Sequence, residues 1–177
     1  MTDFDYDYIV VGSGFGGSVS DDGRSVALTR YLSAAQSQVW IVDLASGVAR
    51  QLLPRPGEAL EATHFESGFS KDGSRLYVVS DRAGEFRELM ALELAGGALT
   101  RLSSHIPWDM GGGALSDDAR WYAARFNMDG RDELRVFDTA TGREAVAPGL
   151  PSGSIRGNLA FHRSLGRVAY ALNGARG

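Results

Sequence analysis

Three histidines, His64, His105 and His162, and a few clustered acids are the side chains of this chain best suited to hold a cation or move a proton. The histidines fall at strand or loop starts in different parts of the sequence and share no ligand spacing, so structural or surface roles are expected. Asp21-Asp22 and Asp117-Asp118 occupy corresponding turns. Acids in turns bond local backbone, which argues against a general acid–base pair. Asn127 to Glu133 is rich in oxygen ligands but lacks the alternating set of a calcium loop, so a hairpin loop is expected. Asp43, Glu93 and Asp138 each stand four residues before a glycine and are expected to accept backbone N–H bonds. Trp40, Trp108 and Trp121 are expected to pack blades, with Trp108, after Pro107, also a candidate for a channel mouth. No catalytic residue and no metal ligand is assigned.

One further pattern could bind a ligand. Tyr8-Ile9-Val10-Val11 runs into Gly12-x-Gly14-x-x-Gly17. Such glycines allow a tight turn, close approach of a pyrophosphate, and close packing of a helix on a strand. The rest of that fingerprint does not follow. Asp21-Asp22-Gly23 sits where the helix should begin, and Asp43, the only candidate for the ribose acid, lies 31 residues after Gly12.

The elements that would position these residues repeat. Ser20-Asp21-Asp22-Gly23, Ser70-Lys71-Asp72-Gly73 and Ser116-Asp117-Asp118-Ala119 each precede an apolar run and a polar stretch. A second apolar run then ends at Asp43, Glu93 or Asp138, with Gly47, Gly97 or Gly142 four residues on. His162 takes the serine position in a fourth copy, and the spacings are 50, 46 and 46 residues. A period in this range, with strand-rich content, predicts propeller blades.

Residues 62–107 form the clearest unit, a four-stranded meander. Leu76 to Val79 and Val39 to Val42 are continuously apolar, as strands packed on both faces would be. The third unit repeats the order, with Ala119 replacing the turn glycine. Ala disfavours a positive φ, so a type I turn is expected there. The fourth unit supplies two strands, and the first has its second to fourth strands but no obvious first one. The predicted fold is therefore all-β: a partial β-propeller of four-stranded antiparallel blades, two complete and two partial. The blades span about 19–55, 62–107, 108–152 and 156–177.

The net charge of −4 and the scattered arginines, with Lys71 the only lysine, give no basic footprint for nucleic acid. No apolar run approaches the length needed to span a bilayer. Zero cysteines exclude disulfides and a cysteine nucleophile. The acidic start, Met1 to Tyr8, lacks the pattern of a signal peptide, and a cytoplasmic location is expected.

Two resemblances extend these readings. Phe69-Ser70-Lys71-Asp72-Gly73-Ser74-Arg75-Leu76, Val79-Ser80-Asp81-Arg82-Ala83-Gly84 and Val136-Phe137-Asp138-Thr139-Ala140-Thr141-Gly142 resemble blades of the prolyl-oligopeptidase family of serine peptidases. They are also similar to the propeller of the periplasmic Tol-system protein. The resemblance covers about residues 18–177. It implies a propeller over an α/β-hydrolase domain, gating short peptides, with that domain as partner. It assigns no catalytic residue here, because the chain contains no Gly-x-Ser-x-Gly elbow. Residues 1–20 resemble the FAD-binding start of glucose-methanol-choline and cholesterol-oxidase type oxidoreductases. That resemblance implies an alternative flavin site at Gly12, Gly14 and Gly17. Residues 1–18 are expected to be a flavoprotein-like segment and not an independent domain. A stand-alone Tol-type scaffold with a protein partner is the third reading. An open arc of blades would leave strand edges unpaired, the first unit's edge being covered only if Tyr8 to Val11 or Phe15 to Val19 adds a strand there, so self-association through the fourth blade is expected.

Overall fold

The computed structural model describes residues 17–145, 149 and 151–174. Every regular element among them is a strand, and all pairing is antiparallel between neighbours in sequence. Blade 1 comprises β1 (Gly17–Val19), β2 (Ser25–Ser33), β3 (Gln36–Asp43) and β4 (Ala49–Leu53). Blade 2 comprises β5 (His64–Phe69), β6 (Arg75–Ser80), β7 (Glu88–Glu93) and β8 (Leu99–Arg101). Blade 3 comprises β9 (Met110–Leu115), β10 (Trp121–Met128), β11 (Arg131–Asp138) and β12 (Glu144–Ala145). The fourth sheet pairs β13 (Ser154–Phe161) with β14 (Val168–Asn173).

The first blade is complete, which the sequence did not show. Its inner strand is β1, three residues long, with Gly17 opposite Leu28 and Val19 opposite Val26. So short a strand, two of its three residues Gly and Ser, carries no hydrophobic pattern of its own.

The repeated serine turn is a hydrogen-bonded cage. Ser70 Oγ donates to Asp72 Oδ1 at 2.6 Å and accepts from Arg75 N at 2.9 Å. Asp72 Oδ1 also accepts from Ser74 N at 3.1 Å. Ser20 with Asp22 and Ser116 with Asp118 repeat these bonds. Gly73 N donates to Ser70 O, and Gly73 has φ +69°. Ala119 makes the equivalent bond to Ser116 O, the bond of a type I turn, yet its own φ is +52°. The expectation that alanine would avoid positive φ is thus corrected. The cage determines the backbone more strongly than the residue's own preference.

Three apolar clusters lie between sheets. Val39, Leu53, Leu76, Val78 and Met90 pack blade 1 on blade 2. Tyr77, Leu89, Tyr122, Phe126 and Phe137 pack blade 2 on blade 3. Ala123, Leu134, Ile155 and Leu159 pack blade 3 on the fourth sheet. Blade 2, with neighbours on both sides, buries Leu76 to Ser80 and Glu88 to Leu92 without a break. In β3, by contrast, Val39 and Ile41 are buried while Trp40 and Val42 are only half-buried. Both-face burial, expected for both runs, holds for β6 and not for β3. The strand chemistry is alike, and only the number of neighbouring sheets differs.

Candidate functional site

The innermost strands β1, β5, β9 and β13 approach one another, β1 with β5, β5 with β9, and β9 with β13. Their side chains point alternately toward the two neighbouring blades. From β5, His64 and Glu66 face blade 1, while Phe65 and Ser67 face blade 3.

Glu66 is the most perturbed acid on these strands. Ser18 Oγ of blade 1 donates to its Oε2 at 2.5 Å, and its backbone N–H donates to Thr29 Oγ1 at 2.9 Å. Burial pushes the carboxyl up to about 7, against the opposing pull of bonds from Ser18 and the Gly68 N–H. On the other face, Ser67 Oγ meets Tyr122 Oη in a short contact. Burial drives the Tyr122 phenol well above its usual range. A carboxyl and a phenol thus flank adjacent residues of β5, each facing a different seam.

His64 is fully buried, and its Nδ1 lies 2.8 Å from Ser80 Oγ. The following acid, Asp81, would complete a nucleophile–base–acid set by residue type. The geometry excludes it. Asp81 accepts from Thr63 N at 2.7 Å and Thr63 Oγ1 at 2.8 Å. Ser80 and His64 both have 0% exposure, so no substrate reaches the hydroxyl. Burial, then the Arg82 charge, lowers His64 to about 4, so the ring is neutral near neutrality.

The other residues singled out by type stay apart. His105 Nε2 contacts Glu144 Oε2 at 3.0 Å on the surface, and the ring lies edge-on to Phe137. His162 caps its own turn, its ring accepting from Ser164 N at 3.2 Å. Among the described residues, no group of three His, Asp or Glu could hold a metal. Asn127 to Glu133 is a hairpin turning at Asp129 and Gly130, both with positive φ. There Asp132 accepts from Asn127 Nδ2 and Ile155 N, which ties blade 3 to β13. Asp43 and Asp138 accept backbone N–H bonds in their turns, from Ser46 and Thr141. Glu93 departs from that expectation: its carboxylate pairs with Arg75 at 2.5 Å. Trp108 packs on the blade 2–3 core. Trp40 bonds Gln38, and Trp121 lies under the Arg120 guanidinium, both half-buried on blade faces.

Gly17, third glycine of the alternative flavin motif, lies in β1 and pairs with Leu28. Strand Ser25–Ser33 follows the Ser20 turn, where a dinucleotide fold needs a helix. The flavin resemblance is therefore not supported by the structure. Gly12 and Gly14, and the first 16 residues as a whole, lie outside the described residues.

Glu66 and Tyr122 carried no sequence signal. Neither belongs to a motif, and the environment of each is shaped by a neighbouring blade.

Repeated four-stranded meanders, packed face to face with their first strands innermost, decide the architecture. The chain is a partial β-propeller. Solved structures agree. Prolyl oligopeptidase B from Galerina marginata, bound to a 25mer macrocyclization substrate, matches 89% of the chain with TM-score 0.69 and 15% identity. A puromycin-hydrolyzing peptidase from Mycobacterium tuberculosis matches 91% with TM-score 0.62 and 18% identity. TolB from Acinetobacter baumannii matches 78% with TM-score 0.56 and 22% identity. The propeller chain spans only 22%, 29% and 33% of those three proteins, respectively. No family model matches the sequence, and no curated protein does.

Proposed function

We propose that this chain is a non-catalytic, access-gating propeller segment of a prolyl-oligopeptidase-like serine peptidase. The reading is carried by the match of 89% of the chain to the prolyl oligopeptidase B structure. The sealed Ser80–His64 pair favours a chain that shapes access and leaves the chemistry elsewhere. Its partner would be an α/β-hydrolase domain, and the substrate of the whole enzyme a short peptide. It would work in the cytoplasm, with neither nucleic acid nor membrane as partner and without a cofactor. The test is incubation of the purified chain with a short chromogenic peptide, beside a binding assay against a prolyl-oligopeptidase-type hydrolase domain. No hydrolysis and saturable binding are expected. Hydrolysis by the chain alone would overturn the reading.

The match to TolB favours a second reading, a scaffold that binds a protein partner. Flanking sequence in the full-length gene separates the two. A downstream Gly-x-Ser-x-Gly domain supports the peptidase, and a signal peptide supports the scaffold.

A further inference from the structure

Where β5 begins, the seam between blades 1 and 2 closes over a cluster of polar groups. Ser37 of blade 1 donates its hydroxyl to His64 O and accepts from His64 N, both at 2.6 Å. Ser80 lies opposite His64 on β6. Ser80 Oγ accepts from Arg82 N at 3.1 Å and lies 2.8 Å from His64 Nδ1. Arg82 in turn donates from Nη2 to Glu58 Oε1 at 2.6 Å.

This arrangement favours one histidine tautomer. With a proton on Nδ1, Ser80 Oγ would accept twice and its own hydroxyl proton would have no acceptor. With Ser80 donating to Nδ1, the serine is satisfied and the ring proton sits on Nε2. His64 Nε2 is buried without a partner among the described residues, and so is Arg82 Nη1. Both orphan atoms are then N–H donors. A buried donor left unmatched costs more than its bond is worth, so two in one cluster point to a shared acceptor.

The character of that acceptor follows from the charges. Arg82 is already paired with Glu58. The Asp81 carboxylate is bonded only to the uncharged Thr63 among the described residues. An added anion would face the half-buried Asp81 carboxylate, which pairs with no cation among the described residues. A neutral acceptor that can also donate is favoured, since the carboxylates of Asp81 and Glu58 retain lone pairs for its protons. We infer that His64 Nε2–H and Arg82 Nη1–H jointly bind one internal water, which locks the top of the seam between blades 1 and 2. The Arg82 charge, after burial, also holds His64 unprotonated. The inference is independent of the peptidase reading.

The test is solution NMR on the whole chain at about neutral pH. Nitrogen shifts of the His64 ring should report the Nε2–H tautomer. The Nε2–H proton should show a cross-peak to a water that exchanges slowly with bulk solvent. Arg82→Met keeps much of the side-chain volume and removes the second donor. It should shorten the water's residence by roughly tenfold. An Nδ1–H tautomer would overturn the inference, as would absence of the water cross-peak in the native chain. An unchanged residence in folded Arg82→Met would overturn the shared site. Ring shifts that follow chloride concentration would replace the water by an anion. Should Arg82→Met fail to fold, the tautomer and cross-peak of the native chain decide the matter.

Discussion

Ser18 and Glu66 meet across the seam between blades 1 and 2, the serine hydroxyl donating to the carboxyl at 2.5 Å. The two residues are 48 positions apart, one blade period, and belong to successive inner strands. The seam thereby holds a half-buried carboxyl that takes up a proton near neutrality. The same seam holds a buried neutral histidine, and the two groups respond to pH in opposite senses.

Glu66 has a folded value of about 7, above its ordinary 4.5. The folded state binds the extra proton between those values, so this group's stabilisation is full below 4.5 and is lost as pH rises to about 7. Glu66→Gln removes that loss. The variant is expected to gain on the native chain as pH rises from 4.5 to 7, by about 2 kcal/mol after allowance for solvent. Urea unfolding midpoints at stepped pH check this. A constant difference across the range would show that the carboxyl does not titrate in the seam.

His64 has a folded value of about 4, below its ordinary 6.5. The unfolded chain takes the proton first, so stability falls as pH drops from 6.5 to about 4. Between 4.5 and 6.5 this slope opposes that of Glu66, and the contribution of the pair is nearly flat. His64→Asn should unmask the Glu66 slope, with stability decreasing as pH rises, and Glu66→Gln should unmask the histidine slope. Two single variants with the same sign of slope would contradict the pairing.

Ala119 occupies a turn position where Gly23 and Gly73 have φ of +67° and +69°. Ala119→Gly relieves the left-handed strain and is expected to raise stability by about 1 kcal/mol, part of which glycine returns through unfolded-state entropy. A thermal melt reads it as a rise of roughly 2 to 4 °C for a chain of this size. A fall in melting temperature would show that the cage holds alanine without strain.

Ser70 supports the cage by donating to Asp72, whose carboxyl is held down at about 2 first by that bond and then by Ser74. Ser70→Ala should return Asp72 toward the usual carboxylate range and cost about 1 kcal/mol through the lost bonds. NMR titration of the Asp72 carboxyl is the direct measurement. An unmoved value would assign the depression to the Ser74 bonds alone.

Gly113 faces the backbone, where an added Cβ would stand 2.6 Å from Ala123 O as well as against the Tyr122 ring. Gly113→Ala is expected to destabilise by about 2 to 3 kcal/mol, because a main-chain oxygen cannot rotate away. Denaturant unfolding checks it. A change within about 0.5 kcal/mol would show that β9 can shift outward at little cost.

What was legible in the residues was local. The Ser-x-Asp-Gly turns depend on bonds between residues two to five apart, and the strands they join stand out as apolar runs, so the pattern carries both directly. Leu76 to Val79 was readable as a strand from its unbroken apolar run. Strand β1 was not, because three residues around Ser18 acquire strand geometry only by pairing with β2. Nor could β3 be told from β6 by its apolar run, since burial of the second face depends on whether another sheet lies against it. The raised Glu66, the neutral His64 and the closed Ser80 hydroxyl belong wholly to the tertiary structure. Each arises when packing removes solvent from a polar group, and in the Glu66 case the partners come from a blade 37 to 48 residues away. Desolvation is a property of what lies around a side chain, and the order of residues along the chain does not contain it.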